Sequence, residues 1–406
     1  MVRLHPRAFQ AVLASGFIAA ALAVGGCAQP GVTAASRADA PFDEAVDIAV
    51  DNLFEQTKKI KLPEFLAKLE SKVIAKRVIV IDPVLEAGSG NQTVATQAID
   101  ARIAERVAAK YPGIEIVPFD PLNVARAQYV LTGTMSRTGQ AALGGGYQID
   151  LALTDLKTRS ISAQASSRAR AQGVDTTPTV YYRDSPVLLY DGTVERAVAT
   201  SRTPPGQPVV PGYLEGMPAS TLLAEAMNAY NADRIEQSLA LYTQALSASG
   251  GDQIRVHNGI YLANWRLGRA AEAEQAFGRV VASGLASRNL GVKFLFKANS
   301  TDFWPDQKVS SAYDFWLRQI AKQAATSRAC LHVVGHTSRT GSEQYNDQLS
   351  QRRALYIKQR LESESPELST RTRASGMGFR ENLIGTGTDD MRDALDRRVE
   401  FKVDAC

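Results

Sequence analysis

The 406-residue chain is 45% hydrophobic and 22% charged, which excludes collagen-like, mucin-like and wholly disordered proteins and leaves room for two or three ordinary domains. Its 46 basic and 42 acidic side chains give a net charge of only +4, so nothing advertises nucleic acid as a partner. Four histidines and three cysteines leave little material for metal or acid–base chemistry; no cofactor and no enzyme activity are expected.

Residues 1–26 read as a secretory signal, with Arg3 and Arg7 at the start, an apolar run from Ala8 to Val24, and small residues at the end. That run is too short and wrongly flanked for a spanning helix. The end, Leu22-Ala23-Val24-Gly25-Gly26-Cys27, resembles the lipobox of bacterial lipoproteins. The resemblance implies that Cys27 is acylated and becomes the N-terminus, and Ala28 after it favours the outer membrane, facing the periplasm. Residues 27–41 are small and polar, as a lipid-anchored tether should be. With Cys27 lipidated, Cys330 and Cys406 remain, and an oxidising periplasm lets them pair; two free buried thiols are the alternative. A bridge would close a loop of about 75 residues, worth roughly 4 kcal/mol at best.

Residues 42–175 alternate helical and strand patterns. Helices are expected over Phe42–Lys58 and Thr93–Lys110, and strands over Arg77–Asp82, Ile114–Phe119, Tyr129–Met135, Gln148–Leu156 and Ser160–Arg170. The result is an α+β sandwich of helices on a mixed sheet. The strand ending in Asp82-Pro83 and the strand Tyr129–Ser136 (YVLTGTMS) resemble periplasmic lipoprotein domains that activate penicillin-binding proteins, and the N-terminal domain of the Tol-system propeller protein. The polar loop Gly88–Thr93 lacks a phosphate-loop lysine and reads as a connector.

Residues 176–217 are rich in Pro and Gly and read as an extended linker, stiffened by Pro204, Pro205, Pro208 and Pro211. Residues 218–288 contain a repeat. Tyr230–Arg234 is echoed by Trp265–Arg269, and Leu241-Tyr242 by Ala276-Phe277, at a spacing of 35. This resembles the tetratricopeptide family, with Ala226, Ala240, Ala263 and Ala273 as small packing positions. Two helical hairpins are too few to stand alone, so they should pack on a neighbour or end in a capping helix; they would dock an unidentified periplasmic protein, with a plain helical spacer as the alternative.

Residues 290–406 should run strand, helix, strand, helix, strand, strand (βαβαββ). Phe296–Phe303 (FKANSTDF), Gly335–Gly341 (GHTSRTG), Asn346–Ala354 (NDQLSQRRA) and Asp393–Phe401 (DALDRRVEF) resemble the OmpA-like, peptidoglycan-associating domain, in the right order. The resemblance implies a cleft that grips the diaminopimelate of a wall stem peptide. Arg353 would answer the ligand carboxylate with its planar fork, and Thr337 and Asn346 would bind or orient it. The family pattern G-H-T-D pairs an aspartate with the ligand ammonium; here that position is Ser338, which supplies no charge. Lys297 brings a positive charge close by. Wall binding in weakened form stands against a cleft with another ligand or none. His332 and His336, four apart on a strand, make a poor metal site, and the run Asp389–Arg398 reads as an ion-paired, solvated helix end. Together these features predict an outer-membrane lipoprotein tethered to the wall; the alternative is a regulator of a wall-synthesis enzyme or envelope machine acting through the N-terminal domain.

Overall fold

The computed structural model describes residues 39–57, 76–139, 145–327, 329–383, 385, 387 and 392–406. The signal, Cys27 and most of the tether lie outside the described residues. Among those described, no helix is long and apolar enough to cross a membrane.

The first layer is built from α1 (Phe42–Thr57), β1 (Arg77–Glu86), α2 (Val94–Lys110), β2 (Ile114–Val117), α3 (Pro121–Arg126), β3 (Tyr129–Thr138), β4 (Gly146–Asp155) and β5 (Ser160–Ala169). The strands pair in the order β2-β1-β3-β4-β5, with β1 parallel to both neighbours and β3, β4 and β5 an antiparallel meander. One face is covered by α1 and α2, whose Leu53, Phe54, Ile99 and Ile103 pack on Leu131, Leu151 and Leu153. Thr93 starts α2 in a reciprocal capping box with Thr96, which silences two backbone donors at once.

The stretch 176–217 is not the extended linker that its prolines suggest. It holds two short helices, α4 (Val180–Asp184) and α5 (Gly192–Ser201), the second capped by Asp191, whose side chain accepts from Thr193 N and Val194 N. The cause lies in the sheet. Val78, Val80, Val130 and Ala152 make its second face apolar as well, and that face must be covered; Ala197, Val209 and Tyr213 cover it. The Tyr213 hydroxyl donates to Asp82 at 2.7 Å and pairs with Thr132 at 2.6 Å, tying the segment to β1 and β3. The proline-bearing part lies alongside β5, where Ile161 N donates to Gln207 O and Gly206 N to Ile161 O.

Two helical hairpins follow: α6 (Met217–Asn231) with α7 (Ile235–Ser247), and α8 (Ile254–Arg266) with α9 (Ala270–Ala286). The 35-residue echo is visible in the backbone. Asp233 and Gly268 occupy equivalent turns with φ of 60° and 73°, and Arg234 N and Arg269 N each reach back 2.9 Å, to Ala229 O and Asn264 O. Ala226, Ala263 and Ala273 are buried at the helix contacts, but Ala240 is exposed; the small residue at that contact is Ser238, whose hydroxyl donates to Ala226 O at 2.9 Å. Ser238 stands 35 before Ala273, so the repeat tolerates either small side chain there.

The last layer contains β6 (Phe294–Leu295), α10 (Gln307–Ser310), α11 (Tyr313–Thr326), β7 (Ala329–Gly335), α12 (Glu343–Glu364), β8 (Thr372–Gly376) and β9 (Arg398–Ala405). The sheet order is β6-β9-β7-β8. β7 runs parallel to β8 and antiparallel to β9, and β9 antiparallel to β6. The helix expected from Asn346 begins three residues earlier because Ser342 caps it. Cys330 and Cys406 are joined as a disulfide with Cα atoms 5.0 Å apart, fastening the end of β9 to β7.

No break separates the hairpins from this layer. A single core runs from Tyr181 to Val403. Its seam is aromatic: Phe277 of α9 stacks on Trp316 of α11 at 5.3 Å, and the Trp316 indole N–H donates to Tyr261 of α8 at 3.1 Å. Gly259 of α8 makes a close approach necessary, since a Cβ there would meet the buried Tyr242 ring at 2.3 Å. Gly259→Ala should therefore lower stability by about 1–3 kcal/mol through overpacking. A urea midpoint within error of the wild type would refute this packing of the two hairpins.

Candidate functional site

The residues singled out in the C-terminal layer converge on one place: the end of β7, the loop after β6 and the first turns of α12. Their proximity follows from small residues. A Cβ on Gly335 would meet Ser350 O at 2.0 Å, and one on Gly376 would meet Gln351 N at 2.4 Å, so α12 rides directly on the backbones of β7 and β8. Leu349, Ser350 and Ala354 face this contact, and the Ser350 hydroxyl accepts from Gly378 N at 2.9 Å.

Arg353 projects from α12 into the middle of the loops and is fully buried. Its Nε donates to Ser300 O at 2.9 Å, Nη1 to His336 O at 3.0 Å and Nη2 to Lys297 O at 2.7 Å, while its guanidinium lies 5.3 Å from the Phe296 ring centroid. Every nitrogen thus serves a main-chain carbonyl. Arg353 thus ties the loop after β6 to the end of β7.

Thr337 and Ser338 follow β7 and are buried, with Thr337 N donating to Gly378 O at 2.9 Å. The Thr337 hydroxyl is buried without a hydrogen-bond partner. Asn346 is a bracing residue. Its amide donates to Thr340 O and Ser342 O, both at 3.0 Å, and so holds the loop against α12. Lys297 is a half-exposed cation, 3.7 Å from Asp302.

Sequence reasoning missed the charged set beside this cleft. The run Asp389–Arg398 reads as solvated, but Asp393, Asp396, Arg397 and Arg398 are buried; Asp389 and Asp390 lie outside the described residues. The Asp396 carboxylate accepts from Leu383 N at 2.6 Å and Gly385 N at 2.8 Å, Arg397 stacks over Trp304 at 5.3 Å, and Arg398 donates to Glu400 at 2.8 Å. Burial is tolerated because each charge is answered by backbone, ring or opposite charge. The signal was available in the apolar alternation of Val399, Phe401 and Val403 immediately after, which places Arg397 inward.

His336 does not join His332, which pairs with Ser375 at 2.7 Å. Instead its Nε2 lies 3.4 Å from Glu400 and 4.0 Å from Glu381. These three are the group among the described residues whose spacing could hold a metal ion, with ligand atoms within 4.8 Å of one another. Arg398 already binds Glu400, and Lys402 lies 3.9 Å from Glu381, so the geometry serves equally as an ion-pair network. Burial pushes the Glu400 carboxyl up, but His336 and Arg398 outweigh it and hold the group well below its usual range. A depressed carboxyl contributes stability that is complete above the unfolded-chain value of 4.5 and fades as pH falls below it. Glu400→Gln is therefore expected to cost about 1.5–3 kcal/mol at pH 7 and clearly less at pH 3, measured by denaturant unfolding at both. A pH-independent loss would contradict the ion-pair account.

Residues 295–394 match the OmpA family. Among solved structures, the peptidoglycan-associated lipoprotein from Burkholderia pseudomallei is 22% identical, the match covering 28% of this chain and 89% of that one with a TM-score of 0.24. The periplasmic domain of Helicobacter pylori MotB is 17% identical over 28% of this chain and 68% of that one, with a TM-score of 0.23. The OmpA-like domain of FopA1 from Francisella tularensis is 18% identical over 28% of this chain and 74% of that one, with a TM-score of 0.22. A stretch of 142 residues is also 30% identical to the Protein CTR9 homolog of Arabidopsis thaliana, spanning 34% of this chain and 12% of that protein's length. The chain carries an OmpA-like domain at its C-terminus.

Proposed function

We propose that this is a non-enzymatic envelope protein that associates with peptidoglycan through its OmpA-like domain. The observation that carries the reading is the family match over 295–394, with the Asn346–Ala354 motif complete and folded against the cleft. The ligand would be the diaminopimelate of a wall stem peptide. Thr337 and Ser338 would supply neutral hydrogen-bonding groups, Asn346 would brace the loop, and Arg353 would place a positive charge behind the wall of the cleft. Lipid on Cys27 would hold the chain at the outer membrane, and the tetratricopeptide-like hairpins would scaffold a periplasmic protein. A second reading, regulation of a wall-synthesis enzyme or envelope machine through the N-terminal layer, is favoured by the acidic groove described below.

Ser338 is the weak point of the cleft, since a hydroxyl answers an ammonium without charge. Exchanging a charged hydrogen bond for a neutral one costs about 1–2 kcal/mol, so Ser338→Asp should raise affinity for sacculi or a diaminopimelate peptide roughly tenfold. Co-sedimentation with purified sacculi measures it, and an unchanged affinity would mean that this cleft is not where the wall binds. For the anchor, palmitate labelling of cells should mark the wild-type chain and vanish in Cys27→Ala; labelling that persists would remove Cys27 from the account.

A further inference from the structure

A groove of about 860 Å³ opens where the C-terminal ends of β1 and β2 meet the first hairpin, α6 and α7. Ile81, Val117, Phe119, Leu222 and Leu241 form apolar walls, and Pro83, Pro118 and Pro121 stiffen them. Leu122, 84% exposed, stands on the rim.

Three carboxylates converge on these walls: Asp100 from α2, Asp120 before α3, and Glu225 from α6. All three are half-buried, and no lysine or arginine lines the groove among the described residues. Asp100 accepts from Val84 N with both oxygens, at 3.2 and 3.4 Å, and Asp120 caps α3 and also accepts from the Asn123 side chain. Burial pushes the Asp100 carboxyl up to about 8, with Asp82 adding to the effect; burial and then Asp120 push Glu225 up. A cation placed among them would reverse that penalty, and apolar side chains beside it would fill the walls.

We propose that this groove is the docking site for a partner protein's segment in which lysine or arginine alternates with leucine- or phenylalanine-like side chains. Charge complementarity selects the occupant: an acidic peptide would add to the repulsion, and a purely apolar one would leave three carboxylates dry. The size suits a handful of side chains rather than a whole domain face. The inference deepens the scaffolding part of the proposed function and rests on it, but it involves none of the residues of the wall cleft.

The test uses the full mature chain and a fluorescein-labelled heptapeptide alternating lysine with leucine, alongside its glutamate-for-lysine counterpart and a lysine–serine version. The lysine–leucine peptide should bind, the other two should bind at least about tenfold more weakly, and added salt should weaken the complex. The double variant Asp120→Asn, Glu225→Gln keeps the α3 cap and should reduce lysine–leucine binding about fivefold or more, while sacculus co-sedimentation stays at the wild-type level. Equal binding of the glutamate peptide, or a double variant of unchanged affinity and intact circular dichroism, would overturn the groove. Loss of sacculus binding alone in Ser338 or Thr337 variants would bear on the wall cleft and leave the groove standing.

Discussion

The C-terminal layer depends on one buried charge. Taking a guanidinium out of water costs several kcal/mol even after relaxation, and leaving it unpaired would cost more than the margin by which an ordinary domain is folded. Arg353 is met by the carbonyls of Lys297, Ser300 and His336, which all accept from it. Those residues come from the loop after β6 and the end of β7, far apart in the chain. The penalty for any other arrangement therefore fixes the two loops relative to α12, and the cleft is what lies between them. Asn346, about two helical turns before Arg353, repeats the device with a neutral amide on Thr340 and Ser342.

The same logic extends into β9. Arg397 and Arg398 enter the strand buried, one against the Trp304 ring and the other against Glu400, and Asp396 ends the preceding turn by accepting from Leu383 and Gly385. A cleft framed in this way has little freedom to open or close. The aromatic seam between Phe277 and Trp316 joins this layer to the hairpins in one continuous core from Tyr181 onward.

Much of this was legible in the residues. Period-2 apolar runs marked the strands of both sheets, and the 35-residue echo marked equivalent turns because Asp233 and Gly268 are both residues that tolerate a left-handed backbone. The disulfide partners followed from counting. What failed was reasoning that treated polarity as exposure. Residues 176–217 have the composition of a linker, but a sheet with two apolar faces recruits whatever chain is nearest, and Val209 and Tyr213 were enough to hold it. Asp393–Arg398 looked solvated because pairing with backbone carbonyls and amides leaves no trace in composition. Arg353 was correctly placed in the cleft, yet its role as a frame was invisible, since only the fold brings three distant carbonyls to it.

The serine at 338 has a further electrostatic consequence. A cleft with an aspartate there presents a negative charge forward and a positive one behind, matched to a zwitterion. With Ser338 the forward charge is gone, while the Arg353 guanidinium remains behind and Lys297 stands at the mouth, 47% exposed and only loosely engaged by Asp302 at 3.7 Å. For the proposed zwitterionic ligand the balance would shift towards its carboxylate end, because its ammonium end would meet a hydroxyl in place of a carboxylate. Low local dielectric sharpens that preference, as the same few charges act over shorter effective distances than they would in water. The family fold is thus retained with one half of its electrostatic complement removed. Its framing arginine still holds the two loops in place, and under the proposed function the discrimination between charged ends would become one-sided.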